Sequence, residues 1–163
     1  MTGVRHIDKY KTVLLAAAQT PSSFTSSWIN MAKFSHATVF IHAANGNTVT
    51  GSAVSFNQAL DTSGGGSKAL PFSLQWSNVL ATSTDSLTQN NVTSNTFTTA
   101  TTNGASLLYV VEIHDTDFDL AANPSFAAFQ VLLGTAANTT VTAWAHLYPR
   151  YRGNFATIPT SLS

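Results

Sequence analysis

Apolar and polar residues alternate along much of this chain with the two-residue period of β-strands, and few Glu or Lys are present to build exposed helices. The segment from Phe126 to Tyr151 carries the pattern furthest. In Thr139 to Tyr148, Val141, Ala143, Ala145 and Leu147 fall on one side of the pleat, while Thr140, Thr142, Trp144, His146 and Tyr148 fall on the other. Both sides carry bulky or apolar groups, which predicts a strand covered on both faces, inside a two-sheet sandwich or against a second chain. A second run, Phe126 to Leu133, precedes it, and Gly134-Thr135-Ala136-Ala137-Asn138 between the two predicts a short hairpin connection. Pro149 lacks a donor and ends the ladder, leaving Arg150-Tyr151-Arg152 just beyond.

The rest of the chain repeats the theme. Lys11 to Ala18 predicts a first strand or a short helix, because Ala-rich runs fit both. In Ala37 to Ala43, Val39 and Ile41 face one way, Phe40 and His42 the other. Asn45-Gly46-Asn47 is a strong tight-turn signal, so Thr48 to Leu60 is predicted to pair back onto that strand. Leu70, Phe72, Leu74 and Trp76 alternate with Ala69, Pro71, Ser73 and Gln75, and Pro71 places this strand at a sheet edge or a bulge. Residues 81–105, rich in Thr, Ser and Asn, predict one or two short exposed strands. Ser106 to Ile113 returns to the core through Leu107, Tyr109, Val111 and Ile113. Roughly eight strands separated by turn residues predict an all-β fold, a single β-sandwich domain of jelly-roll or immunoglobulin-like type. Its parts are an extended N-terminal arm over residues 1–12, the sandwich over 13–152 and a C-terminal tail over 153–163.

Composition narrows the function classes. Only 9% of the 163 residues are charged, and seven acids cancel seven bases. A weakly charged, neutral chain lacks the basic patch that nucleic acid or an anionic membrane requires, so protein is the expected partner. No apolar run approaches the roughly 18 residues that span a bilayer. The chain has no cysteine, which excludes disulfides and thiolate metal sites. Arg5, Lys9 and Lys11 ahead of Val13 to Ala18 imitate a signal peptide, but the apolar part is short and Asp8 interrupts the basic region.

Candidate chemistry is sparse. Asp115, Asp117 and Asp119 share the spacing that opens a calcium loop, yet Leu120 replaces its turn glycine and Phe126 its bidentate glutamate. A solvated loop with an Asp capping a short helical turn is the better reading. No Ser occupies a nucleophile elbow, and the histidines are scattered. Ser63 to Lys68 matches a phosphate loop only in its glycines. No catalytic, cofactor or metal residue is therefore predicted. Trp28, Trp76 and Trp144 are expected to pack in the core, the alternative being a sugar-stacking platform. Arg150 and Arg152 around Tyr151 supply residue types enriched in binding hot spots.

The order of several weak motifs resembles small structural proteins of tailed bacteriophages. These are Trp28 to Met31 before a β-branched strand, Gln58-Ala59-Leu60-Asp61 with a Gly-rich loop and Lys68-Ala69-Leu70, then Val111-Glu112-Ile113 with its acidic run, the strand Phe126 to Leu133, and Leu147-Tyr148-Pro149-Arg150-Tyr151. The resemblance implies a head decoration or cement protein on the virion capsid surface, made in the host cytoplasm. Such a protein is not an enzyme, needs no cofactor, and binds the major capsid protein as a homo-oligomer, often a trimer. The expected interface residues are Arg5, Lys9 and Lys11 of the arm with Arg150, Tyr151 and Arg152. The competing reading is a carbohydrate-binding or receptor-binding module of a tail or surface appendage, with Trp76 or Trp144 lining a groove beside Asn78 or Asp85.

Overall fold

The computed structural model describes residues 9–20, 22–122 and 124–150, and these form an all-β sandwich of two six-stranded antiparallel sheets. In chain order the strands are β1 (Lys11–Gln19), β2 (Phe24–Thr25), β3 (Ile29–Asn30), β4 (Phe34–Asn45), β5 (Ala53–Ala59), β6 (Lys68–Ala69), β7 (Leu74–Asn78), β8 (Thr88–Asn91), β9 (Thr96–Thr98), β10 (Ser106–His114), β11 (Ala128–Leu133) and β12 (Thr139–Pro149). The first sheet runs β1-β12-β4-β10-β7-β8. The second runs β2-β11-β5-β6, with β3 also on β11 and β9 also on β5. Four of the twelve strands have only two or three residues apiece beside the long ones, which is why alternation alone suggested a smaller number. Lys11 opens β1 opposite Leu147, so the last two residues of the predicted arm already belong to the sheet.

Two predicted hairpins are corrected. β4 and β5 lie in different sheets, as do β11 and β12, so both connections are arches that cross the sandwich. The arches lie side by side and pair with each other. Gly46 N donates to Asn138 O at 2.8 Å, Ala137 N to Thr50 Oγ1 at 2.8 Å, and Gly134 N to Ala53 O at 2.7 Å. The left-handed backbone falls on Thr48 (φ 56°) and Asn138 (φ 54°) rather than on an Asn-Gly hairpin pair. Asn45 anchors both arches from a buried position: its amide donates to Ala100 O and Thr102 O, and its carbonyl accepts from Thr139 Oγ1. Gly51 sits where the arch presses on the β9 segment, and a Cβ there would meet Thr99 O at 2.4 Å.

The core lies between the sheets. The first sheet contributes Ala37, Val39, Ile41 and Ala43 of β4, Val141, Ala143, Ala145 and Leu147 of β12, and Leu107, Tyr109, Val111 and Ile113 of β10, all buried. Register sets small against large: Ala143 opposes Ile41, Ala145 opposes Val39, and Ala37 opposes Leu147. Against this face the second sheet presses Phe56, Phe129, Val131 and Leu133. Phe56, Phe72, Phe97 and Tyr109 form an interior chain of edge-on and tilted rings with centroids 5.2, 6.2 and 5.2 Å apart. The run through Leu70, Phe72, Leu74 and Trp76 is not one strand face. Leu70 and Phe72 point inward beside the second sheet, whereas β7 has joined the first sheet, turning Gln75 inward and leaving Leu74 and Trp76 half-buried outside.

Candidate functional site: the outer aromatic face of the six-stranded sheet

Because side chains alternate, the strands that bury valine and alanine inside must present their other residues outside. On β12 these are Thr140, Thr142, Trp144, His146 and Tyr148, and on β4 they are His36, Thr38, Phe40, His42 and Ala44. Register aligns them in rows across the sheet. One row reads Leu14, Trp144, Phe40, Val110, Trp76 and Gln89, from β1 to β8. The next reads Thr12, His146, Thr38 and Glu112, and beyond it stand Tyr148, His36 and His114.

Ring contacts join these rows into one strip. His36 stacks on Tyr148 at 4.1 Å and 11°, and on His114 at 5.5 Å and 24°. Tyr10 stacks on His146 at 4.0 Å and 17°, and lies 5.5 Å from Tyr148. Phe40 lies 4.9 Å from His146 and stacks on Trp144 at 5.4 Å and 9°. Near-parallel planes at these separations match the strand spacing of about 4.8 Å, so the rings stand on edge from the sheet, face against face. Phe40, Trp144, His146, Tyr148 and His36 are half-buried, and Leu14 is 60% exposed. Val110 and Thr38 are buried by their taller neighbours on this face, outside the inner core cluster.

Electrostatics on the strip are muted. Burial, and then the neighbouring His114, hold the His36 imidazole below its ordinary pKa, with Glu112 and Asp115 opposing more weakly. Ser35 Oγ lies 3.2 Å from His36 Nδ1. His42 Nε2 lies 2.6 Å from Ser106 Oγ, as suits a packed, satisfied histidine.

The tryptophans overturn the core expectation: Trp28, Trp76 and Trp144 are all half-buried, and phenylalanine fills the interior in their place. Trp28 instead covers Gly64, whose added Cβ would meet its Nε1 at 2.8 Å. Partial exposure alone would suit a sugar platform. A platform needs an open ring face, and Phe40 stacks on one face of Trp144. Asn78 is likewise committed, donating to Thr84 O at 2.7 Å and accepting from Leu80 N at 2.8 Å.

The acidic run disperses its carboxylates among separate partners. Asp115 pairs with Arg150 at 3.0 Å, Asp117 accepts from His114 N at 2.7 Å across a 3-10 turn, and Asp119 pairs with Lys68 and accepts from Ala121 N at 3.0 Å. The Lys68 ammonium beside it holds the exposed Asp119 carboxyl below its usual range. Among the described residues no group of three metal-ligating side chains converges. A shallow depression of about 520 Å³ lies over this region, lined by Gln58, Lys68, Ser94, Asn95, Asp117 and Asp119 among others.

Of the predicted interface residues, Arg5, Tyr151 and Arg152 lie outside the described residues. Lys9 is exposed, and Lys11 is half-buried at the start of β1. Arg150 is engaged within its own chain: its N donates to Lys33 O, its Nε to Phe34 O, and its guanidinium meets Asp115. Lys11 and Arg150 stand at the same end of the sheet as His36 and Tyr148. The sequence pattern contained the strip, since both faces of the β4 and β12 runs were visibly bulky. Which face would be left uncovered was not.

No protein-family model matches the chain, and no curated protein does. Among solved structures it is similar to the SPBc2 prophage-derived protein YomS, at 11% identity over 85% of this chain and 92% of that one, with a TM-score of 0.43. A likeness of that degree carries no argument about function.

Proposed function

We propose that this chain is a non-enzymatic virion structural protein of the head decoration or cement type, working by association with the major capsid protein and with copies of itself. The observation that carries the reading is the outer strip of edge-on aromatic rings. It offers Trp, Tyr and Phe edges with few charges, the chemistry enriched at the centres of protein interfaces. The stacking of Phe40 on Trp144 counts against the carbohydrate-binding alternative at that ring, and the breadth of the strip suits a flat protein surface better than a small ligand. The order of sequence motifs that resembles phage structural proteins supplies the capsid as the partner. Attachment at several lattice points would raise the cost of separating neighbouring capsomers, because each further contact is made at high effective concentration.

The test adds purified protein to virions that lack it. Saturable binding and a higher temperature of DNA release are expected, and binding that never saturates counts against the reading. Removing residues 1–8, which leaves β1 whole, should weaken attachment while circular dichroism stays unchanged. Equal binding by the shortened chain removes the arm from the interface.

A further inference from the structure

The outer face has a symmetry that suggests its occupant. We infer that a second copy of this chain seats on it, related by a two-fold axis that lies outside this sheet, between the facing outer surfaces of the two copies, and runs parallel to β4. This rests on the association reading above and names the surface and partner.

A two-fold interface is self-complementary, so the face must fit its own rotated image. Rotation about β4 keeps each row at its height and exchanges its sides, setting β12 over the partner's β10 and β1 over the partner's β7. In the central row the register then places Trp144 over the small Val110 of the second copy, Leu14 over Trp76, and Phe40 on its equivalent at the axis. The bulky Trp144 thus meets the smaller, sunken Val110, and the exposed Leu14 meets the half-buried Trp76. In the next row His146 comes to face Glu112, and Thr38 meets its equivalent. Glu112 is the only formally charged side chain in these two rows, and the rotation gives it an imidazole. One row to the other side, Thr142 faces Leu108 and His42 meets its equivalent.

The perpendicular two-fold fails on the same residues. It would press Trp144 against Trp144 and lay the Glu112 carboxylate on Leu108, burying a charge against an aliphatic group. Area is adequate for the first arrangement. Four strands about 4.8 Å apart with nine residues rising about 3.3 Å each, and the five residues of β7 beside them, give a patch of roughly 600 to 700 Å² per copy, near the lower half of stable interfaces. Facing sheets of this kind pack about 10 Å apart and within about 30° of alignment. The two-fold unit differs from the trimer that the family resemblance implies, and mass in solution separates them.

Sedimentation of the full chain should give a dimer mass at concentrations up to about 100 µM, the range in which a specific interface of this size is populated. Phe40→Lys sets two ammonium groups against each other at the axis and should weaken dimerisation by at least about a hundredfold, with β-sheet circular dichroism retained. Glu112→His and His146→Glu should each weaken it about tenfold, and the double exchange should restore most of the loss, because the pair forms between copies. Glu112 is exposed, so that pair tests the geometry even if Phe40→Lys does not fold. A monomer or trimer mass overturns the inference, as does a dimer indifferent to all three substitutions or singles that the exchange does not rescue. Virion binding measured beside it keeps the two readings apart. A monomer that still saturates virions sinks the two-fold pair alone, and a dimer that never binds them sinks the capsid role alone.

Discussion

The two faces of the six-stranded sheet are made by the same strands, yet they differ in kind. Inside, β4, β10 and β12 present mainly Val, Ala, Ile and Leu, buried and fitted small against large, and the hydroxyl of the one phenol among them, Tyr109, accepts from Ala100 N. Outside, β4 and β12 present His, Phe, Trp, Tyr and Thr with rings stacked on one another, and β10 adds Leu108, Val110, Glu112 and His114. Aliphatic groups have no polar tip, and closing them between sheets costs nothing in lost hydrogen bonds. Imidazole, indole and phenol each need a partner or water at one edge, so a face built of them stays apolar in its body and wet at its rim. The inner face is closed on itself, and the outer one stays half-open.

That contrast can be broken from the inside. Leu147→Ala removes a fully buried side chain in the fitted inner row and should cost about 2–5 kcal/mol in denaturant unfolding, since the surroundings cannot collapse onto the gap. Asn45→Ala should cost about 1–3 kcal/mol, because it leaves Ala100 O, Thr102 O and the buried Thr139 hydroxyl short of a partner where the two arches meet. Trp144→Ala, on the same strand as Leu147 but facing out, should cost only about 1 kcal/mol of monomer stability, because part of the ring already faces water. A loss as large as that of Leu147→Ala would make the outer face a second core.

The gentlest probe is pH. Burial and His114 hold the folded His36 below the 6.5 of a free imidazole, so as pH falls the unfolded chain takes up the proton first. The associated stability is fully present above about 6.5 and declines as pH drops through the folded value. Glu112 and Asp115 temper the decline, and His114 adds to it. His36→Gln should flatten the midpoint-against-pH curve in that window, and an unchanged slope would place the titration elsewhere.

The strands themselves were legible because alternation is local: the faces of β4, β10 and β12 follow from residue order. The partners of those strands were not. Asn45-Gly46 and Gly134 to Asn138 have the residues of tight turns, and read as hairpins they gave the wrong neighbours, because an arch between sheets uses the same polar, flexible residues as a turn within one. The switch of face between Phe72 and Leu74 was hidden for a related reason. A strand that leaves one sheet for the other inverts the meaning of inside without interrupting its alternation. The tryptophans followed: their apolar neighbours suggested the core, but register carried Trp76 and Trp144 outward.

The sequence by itself determined that this is an all-β, cysteine-free, weakly charged chain whose long strands are bulky on both faces. Those properties depend on each residue and its near neighbours. Only the tertiary structure decided which face closes against the second sheet and which is left as a row of ring edges. That choice depends on pairing between strands as much as a hundred residues apart, such as β4 with β12, where hydrogen bonding fixes the register and no local pattern records it.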